Sequence, residues 1–136
     1  MREINVELHG PAILVVEDDD EVRQVISDTL MSRGFRVRTA ATASEALAIV
    51  EEQNFDLVVA DIRLPGGLDG LQMAQQVRSR HPLLKCLFIS GQGDPIVCDP
   101  ELDDFVGKPF RPVELLGCVW KVLNGNQPRP HVQVAS

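Results

Sequence analysis

The chain has 136 residues, of which 44% are hydrophobic and 24% are charged, and its formal net charge is −7. A chain of this length forms one domain with a buried core. The negative charge and the scattered basic residues argue against nucleic acid and membranes as partners, because phosphate binding depends on clustered Lys and Arg. No segment has the pattern of a membrane span or a signal peptide. The three cysteines lack the spacing of a disulfide framework or a zinc site, which favours the reducing cytoplasm.

Short apolar segments alternate with amphipathic segments along the chain. In chain order the pattern predicts a strand at 12–16, a helix at 20–33, a strand at 35–39, a helix that Thr42 and Glu45 begin, a strand at 57–61, a helix near 69–80, strands at 86–89 and 105–106, and a helix from Pro112 to 123. The first helix is expected to bury one face, made of Val22, Val25, Ile26, Thr29 and Leu30. The sequence therefore predicts an α/β fold, a doubly wound five-stranded parallel sheet with helices on both faces, of the flavodoxin-like type.

The connection before the last strand departs from this alternation. From Gly91 to Asp104 it shows no apolar period, and it contains Gly93, Pro95 and Pro100. Because a proline inside a helix costs about 3 kcal/mol, we expect a loop or a single turn here. The fourth helix of the fold is therefore predicted to be short or missing.

Two predicted strands end in acidic residues. Glu17 and Asp18 follow the first strand, and Asp61 ends the third. Because the carboxyl ends of parallel strands lie at the same edge of a sheet, we expect these acids to meet. Carboxylates that gather in this way repel one another unless a cation neutralises them, and a hard divalent cation is the usual one. The sequence therefore predicts a cation site at this edge, where Ser90 and Lys108 follow two further strands.

The chain resembles a known family in four segments, which are in order ILVVEDDDEVR, LVVADIRLPGGLDG, LFISG and FVGKPF. They are similar to segments of the receiver domain of bacterial two-component response regulators, of the chemotaxis-regulator-like kind, from about Ala12 to Leu123. The resemblance implies that Asp61 accepts a phosphoryl group from a histidine kinase or a phosphotransfer protein, with Mg²⁺ as cofactor. The resemblance also implies that the metal is held by Glu17, Asp18, Asp61 and the backbone carbonyl of Arg63. It implies that Ser90 and Lys108 contact the phosphoryl group, and that Ser90 and Phe105 change conformation on phosphorylation. Finally, it implies a cis peptide bond between Lys108 and Pro109.

The resemblance assigns residues 11–125 to the receiver domain. Residues 1–10, set off by Gly10 and Pro11, are expected to form an N-terminal extension, and residues 126–136 a flexible C-terminal tail. The starting methionine and the tail favour a stand-alone regulator.

By the same resemblance, the protein catalyses only its own phosphorylation and dephosphorylation, so it is not classed as an enzyme, and it signals by protein–protein interaction. Its downstream partner is unknown, and a weak homodimer stays open. Neither nucleic acid nor a membrane is expected as a partner. Two alternatives also stay open: the receiver portion of a hybrid histidine kinase or phosphorelay, and a scaffold that is not phosphorylated.

Two other classes that handle phosphate fit the sequence less well. A phosphatase similar to the haloacid dehalogenases would need a DxD arrangement, which Asp61-Ile62-Arg63 lacks. A nucleotide binder would need a phosphate loop of Gly, Ser or Thr after the first strand, where this chain has acids.

Arg63 is an unusual feature of the predicted site. It is a long cation two residues beyond Asp61, where its side chain could reach the phosphoryl site or pair with Glu17. We hypothesise that Arg63 alters the lifetime of the phosphoaspartate by obstructing or orienting the attacking water.

Overall fold

The structure is a computed structural model, and it describes residues 10–94, 99 and 101–125. The elements within these residues are, in order, β1 (Ala12–Val16), α1 (Asp20–Met31), β2 (Arg36–Ala40), α2 (Ala43–Glu52), β3 (Leu57–Asp61), α3 (Gly70–Arg78), β4 (Lys85–Ser90), β5 (Asp103–Gly107) and α4 (Pro112–Leu123). The predicted alternation of strands and helices is confirmed.

The strands form one five-stranded sheet in the order β2-β1-β3-β4-β5, and every neighbouring pair is parallel. The chain moves outward from β1 to β2 and then returns past β1 to β3, so the sheet is doubly wound as predicted. In the observed register Asp61 lies opposite Ile89, and Ser90 lies opposite Gly107. The carboxyl ends of β3, β4 and β5 therefore share one edge.

Both faces of the sheet are covered by helices. β1 and β3 are buried along their whole length, which explains why their apolar residues are continuous rather than alternating. One face packs against α2 and α3 through residues that include Leu14, Val58, Phe88, Ala46, Val50, Met73 and Val77. The opposite face packs against α1 and α4 through residues that include Ile13, Val59, Leu87, Ile26, Leu30, Leu115 and Val119.

Side-chain caps determine where the first three helices begin. Asp19 accepts two backbone N–H bonds from the first turn of α1, at 2.9 and 3.0 Å. Thr42 accepts the N–H of Glu45 at 3.1 Å in front of α2. Asp69 and Gln72 form a capping box at the start of α3. Each cap satisfies backbone donors that have no partner inside the helix.

The buried face of α1 is narrower than predicted. Val25 is 50% exposed, and the helix ends at Met31. Ile26 and Leu30 form the centre of the buried face, and each residue step turns a helix by about 100°. Val25 therefore lies at the margin of the apolar stripe, and its predicted burial was wrong.

The described part of the connection between β4 and β5 contains turns and no helix. Asp94 bonds back to Gly91 at 3.2 Å in one turn, and a second turn follows Asp99. Residues 95–98 and 100 lie outside the described residues. The prediction of a short or missing helix is confirmed for the part of the connection that the structure describes.

A buried ion pair holds the second end of this connection. Arg78, the last residue of α3, donates two hydrogen bonds to the carboxylate of Asp103, which begins β5. Arg78 Nε also donates to the carbonyl of Leu84 at 3.0 Å. The exposed fractions of the Arg78 and Asp103 side chains are 19% and 2%. The start of β5 is thus tied to α3 by a contact that water screens little.

The predicted terminal segments fall mostly beyond the described part of the chain. Of residues 1–10 only Gly10 is described, and the predicted tail at 126–136 lies wholly outside. Among the described helices, none has both the length and the apolar composition needed to cross a membrane.

Replacing Gly70 by alanine is expected to destabilise the fold. A Cβ at this position would lie 2.2 Å from the backbone oxygen of Asp61, so α3 would have to move away from the end of β3. We expect Gly70→Ala to lower the free energy of unfolding by about 1–3 kcal/mol, measured by urea denaturation. Gly67→Ala is the matched control, because a Cβ there meets nothing within 4 Å. Equal stability of the two variants would contradict this prediction.

Candidate functional site

The chemically distinctive residues of the sequence meet at one edge of the sheet. Glu17 follows β1 and Asp61 ends β3, and these strands are neighbours. Ser90 ends β4, and Lys108 follows β5 directly. The peptide bond between Lys108 and Pro109 is cis, as the resemblance implied.

Three carboxylates form the acidic site, which we define as Glu17, Asp18 and Asp61. One oxygen of each lies within 4.8 Å of the others. Glu17 and Asp61 are 1% and 3% exposed, whereas Asp18 is exposed. Two buried acids with a third open to solvent offer oxygen ligands on one side and room for water on the other. This is the donor set that Mg²⁺ prefers, since it takes few carboxylates and keeps several waters.

Lys108 is the cation that neutralises Asp61. Its Nζ donates to Asp61 Oδ2 at 2.5 Å and lies 3.9 Å from Glu17 Oε1. The other oxygen of Asp61, Oδ1, accepts the backbone N–H of Arg63 at 2.9 Å. Burial by itself lowers the pKa of Lys108, but the hydrogen bond and the charge of Asp61 outweigh it and raise the pKa above its usual value. Lys108 is therefore fully charged at neutral pH.

One buried oxygen of Glu17 has no hydrogen bond, and its ion pair with Lys108 Nζ is long, at 3.9 Å. Oε2 of Glu17 accepts the backbone N–H of Asp19 at 3.0 Å, while Oε1 has no hydrogen-bond partner. Burial, together with the negative charge of Asp61, raises the pKa of Glu17 to about 7, although the Asp19 bond acts in the opposite direction. A buried oxygen without a hydrogen bond beside two other carboxylates fits a divalent cation, because a cation would give this oxygen the ligand contact that the protein does not supply.

Ser90 ends β4, the neighbour of β3, and Phe105 lies on β5, the edge strand next to it. Ser90 is half-buried, and its carbonyl accepts the backbone N–H of Lys108 at 2.8 Å. The ring of Phe105 lies with its centroid 5.5 Å from that of Phe88, at the boundary of the core. The structure thus places Ser90 at the predicted edge and Phe105 two residues before the end of its strand, and their switching roles stay predictions.

Arg63 contacts an acid that the sequence analysis did not single out. Its Nε donates to Oδ1 of Asp94, so it pairs with Asp94 rather than with Glu17. Asp94 Oδ2 in turn accepts the backbone N–H of Gly91 at 2.6 Å. This backbone bond, with the hydrogen bond and the charge of Arg63, lowers the pKa of Asp94, although loss of solvent contact acts in the opposite direction. No local pattern in the sequence indicates that Arg63 pairs with an acid 31 positions away, or which of the many acids it is.

A family model described as the response regulator receiver domain matches residues 13–119. The chain belongs to this family. A solved receiver domain, that of NtrX from Brucella abortus, superposes with a TM-score of 0.73 at 32% identity, covering 82% of this chain and 98% of that one. The fold is therefore that of a receiver domain, the module of response regulators in two-component signalling.

Curated relatives show the same likeness at the level of sequence. The C4-dicarboxylate transport transcriptional regulatory protein DctD of Rhizobium meliloti is 35% identical over 105 residues, which are 74% of this chain and 23% of that protein. The regulatory protein VanRc of Enterococcus gallinarum is 33% identical over 111 residues, which are 79% of this chain and 47% of that protein. The matched part thus makes up less than half the length of these relatives.

The stability of the metal-free receiver domain is expected to fall as the pH rises from 5 to 8. Because the folded protein raises the pKa of Glu17 from 4.5 to about 7, it keeps a proton that the unfolded chain has already lost in this range. The free energy of unfolding should therefore decrease with rising pH, by on the order of 1–3 kcal/mol. Urea denaturation in the presence of a chelator measures this change.

Glu17→Gln should remove most of this pH dependence, because the glutamine cannot titrate. Glu52→Gln is the matched control, since Glu52 is an exposed acid paired with Arg38 on the surface. The explanation is wrong if the Glu17→Gln protein keeps the full decrease.

Proposed function

We propose that this receiver domain accepts a phosphoryl group onto Asp61, from a phosphohistidine on a histidine kinase or a phosphotransfer protein, with Mg²⁺ bound at the acidic site. The observation that supports this most directly is the environment of Asp61. It is a buried carboxylate at a strand end, one oxygen accepts from Lys108 Nζ at 2.5 Å, and two further acids lie beside it.

The reaction exchanges one bond to phosphorus for another. An oxygen of Asp61 attacks the phosphorus, the bond between phosphorus and the histidine nitrogen breaks, and the released imidazole takes up a proton. Since a carboxylate and a phosphoryl group both carry negative charge, the barrier is largely electrostatic. Glu17, Asp18, Asp61 and the backbone carbonyl of Arg63 would hold Mg²⁺. The ion supplies positive charge to the phosphoryl oxygens when it is bound.

Lys108 holds Asp61 before the reaction and is available to the product. Its Nζ is a compact cation, and its exposed fraction of 38% leaves it room to turn from the Asp61 carboxylate toward phosphoryl oxygens. The backbone N–H of Arg63 already donates to Asp61 Oδ1, so it keeps the carboxylate in a defined orientation. Together these donors position the nucleophile and stabilise the charge that arrives with the phosphoryl group.

Ser90 supplies the mechanical step of the proposal. Its hydroxyl can donate a hydrogen bond to a phosphoryl group on Asp61, and the residue ends the strand that neighbours β3. A new bond there would draw the end of β4 inward and alter the packing of Phe105, which lies on the next strand. The protein would then signal by protein–protein interaction in the cytoplasm. On this proposal its chemistry is confined to its own phosphorylation and dephosphorylation.

Phosphorylation can be tested with Mg²⁺ and a small phosphodonor, followed by intact mass measurement. We expect the wild-type protein to gain one phosphoryl group and Asp61→Asn to gain none, because an amide is not a nucleophile for phosphorus. Asp56→Asn is the matched control. Asp56 lies at the opposite end of the same strand, where it accepts the N–H of Ala12 at 2.8 Å, a bond that Asn can keep.

Two results would overturn the proposed function. Uptake by Asp61→Asn equal to that of the wild type would show that another residue is modified. No uptake by the wild-type protein, from the small phosphodonor or from phosphorylated kinases, would leave a scaffold that is not phosphorylated.

Arg63→Ala should change the rate at which the phosphoryl group is lost. Arg63 follows the phosphoacceptor by two residues and is 72% exposed, so its side chain can reach the water that attacks the phosphoaspartate. We expect a change of about two- to fivefold, which is the size of one exposed charge contact. Loss of label after removal of the phosphodonor measures the rate, and an unchanged rate would end the hypothesis.

A further inference from the structure

The side chain of Asp94 has little contact with solvent, although the residue as a whole is only half-buried in its loop. Its side chain is 1% exposed, while that of Arg63, its ion-pair partner, is 72% exposed. One oxygen accepts from Arg63 Nε, and the other accepts the backbone N–H of Gly91 at 2.6 Å. The guanidinium therefore holds one oxygen of the acid, and the backbone of the turn at residues 91–94 holds the other.

The two donors that hold Asp94 adjoin the proposed phosphorylation site. Gly91 directly follows Ser90, the residue expected to donate to the phosphoryl group. Arg63 is connected to Asp61 through its own backbone N–H, which donates to Asp61 Oδ1 at 2.9 Å. Asp94 is thus an anion bound by a backbone amide and a guanidinium on the rim of the acidic site.

We propose that Asp94 is an internal anion that competes with the phosphoryl group on Asp61 for Arg63 and for the N–H of Gly91. In the unphosphorylated protein it holds the turn of residues 91–94 against Arg63. Phosphorylation draws both donors toward Asp61, opens the Arg63–Asp94 pair and releases the turn. This inference rests on the proposed function.

Charge and geometry both favour the exchange. A phosphoryl group brings about two negative charges and several strong acceptor oxygens, whereas Asp94 offers one charge. Arg63 is mostly exposed, so it can turn toward Asp61 without leaving a buried cation unpaired. A hydrogen bond from Ser90 to the phosphoryl group would also move the adjoining Gly91, which Asp94 now holds.

The exchange would change the shape of one end of the connection only. At the other end, Arg78 holds Asp103 in a buried ion pair that lies away from the acidic site. The release is therefore expected within residues 91–94, while the start of β5 keeps its place. In this way a charge change at Asp61 becomes a local change of surface.

Binding of beryllofluoride with Mg²⁺, a stable analogue of the phosphoryl group, tests the competition. We expect Asp94→Asn to bind the analogue about three- to tenfold more tightly than the wild type, because the charge that competes for Arg63 is gone. Asp94→Ala should gain at least as much, since it also frees the N–H of Gly91. Glu51→Gln is the control, because it likewise removes one acid from an ion pair with an arginine, Arg80.

A double-variant experiment separates the contact from the general effect of removing a negative charge. Asp94→Asn changes the free energy of analogue binding by some amount in the wild-type background. In the Arg63→Ala background, the same substitution should change it by less than half of that amount. An equal effect in both backgrounds would show that Asp94 acts only through the overall field, and the proposal would be wrong.

Nuclear magnetic resonance of the wild-type protein tests the opening without any substitution. The Nε–H of Arg63 and the amide of Gly91 should both shift on saturation with the analogue, and the contact between the Arg63 and Asp94 side chains should disappear. The signals of Arg78 and Arg80 serve as internal references. Persistence of the Arg63–Asp94 contact in the saturated protein would overturn the proposal.

The failures of the two proposals can be distinguished. If the wild type takes up neither a phosphoryl group nor the analogue, the proposed function fails, and the role of Asp94 fails with it. If the wild type binds the analogue and both Asp94 variants match it, only the role of Asp94 fails.

Discussion

The repulsion between two buried carboxylates, Glu17 and Asp61, is the constraint around which this receiver domain is organised. They lie at neighbouring strand ends, 1% and 3% exposed, where water screens their charges little. Lys108 offsets only part of this repulsion, because its Nζ lies 2.5 Å from Asp61 but 3.9 Å from Glu17. The remaining deficit of positive charge, together with the Glu17 oxygen that has no hydrogen bond, is the physical basis for the proposed Mg²⁺.

The sheet makes this arrangement unavoidable. Parallel strands bring their carboxyl ends to one edge, and β1 and β3 are buried along their whole length up to the acids at their ends. The helix that follows β3 approaches it closely, since Gly70 leaves no room for a Cβ beside the carbonyl of Asp61. The nucleophile proposed for phosphoryl transfer is thus held by packing on the strand side and by Lys108 on the solvent side.

Local patterns predicted most of the fold and most of the site. The run that ends in Asp61 is both a strand signal and a site signal, so its place in the sheet followed from the sequence alone. The exposure of Val25 could not be predicted in the same way, because the width of an apolar stripe depends on what packs against the helix. The Arg63–Asp94 contact joins residues 31 positions apart, and one of them lies in a segment without any periodicity. Among several acids in that segment, only three-dimensional packing selects Asp94.

Two ion pairs between an arginine and an aspartate hold the two ends of the connection between β4 and β5, and they differ in how exposed the arginine is. Arg78 and Asp103 are both largely buried, so breaking that pair would leave a charge without water or partner. Arg63 is mostly exposed, so its pair with Asp94 opens into solvent at little cost to the cation. The weaker pair is the one beside Asp61. A change of charge at the acidic site would therefore act on the end that can move, and a partner protein that distinguishes the two states is expected to contact residues 91–94.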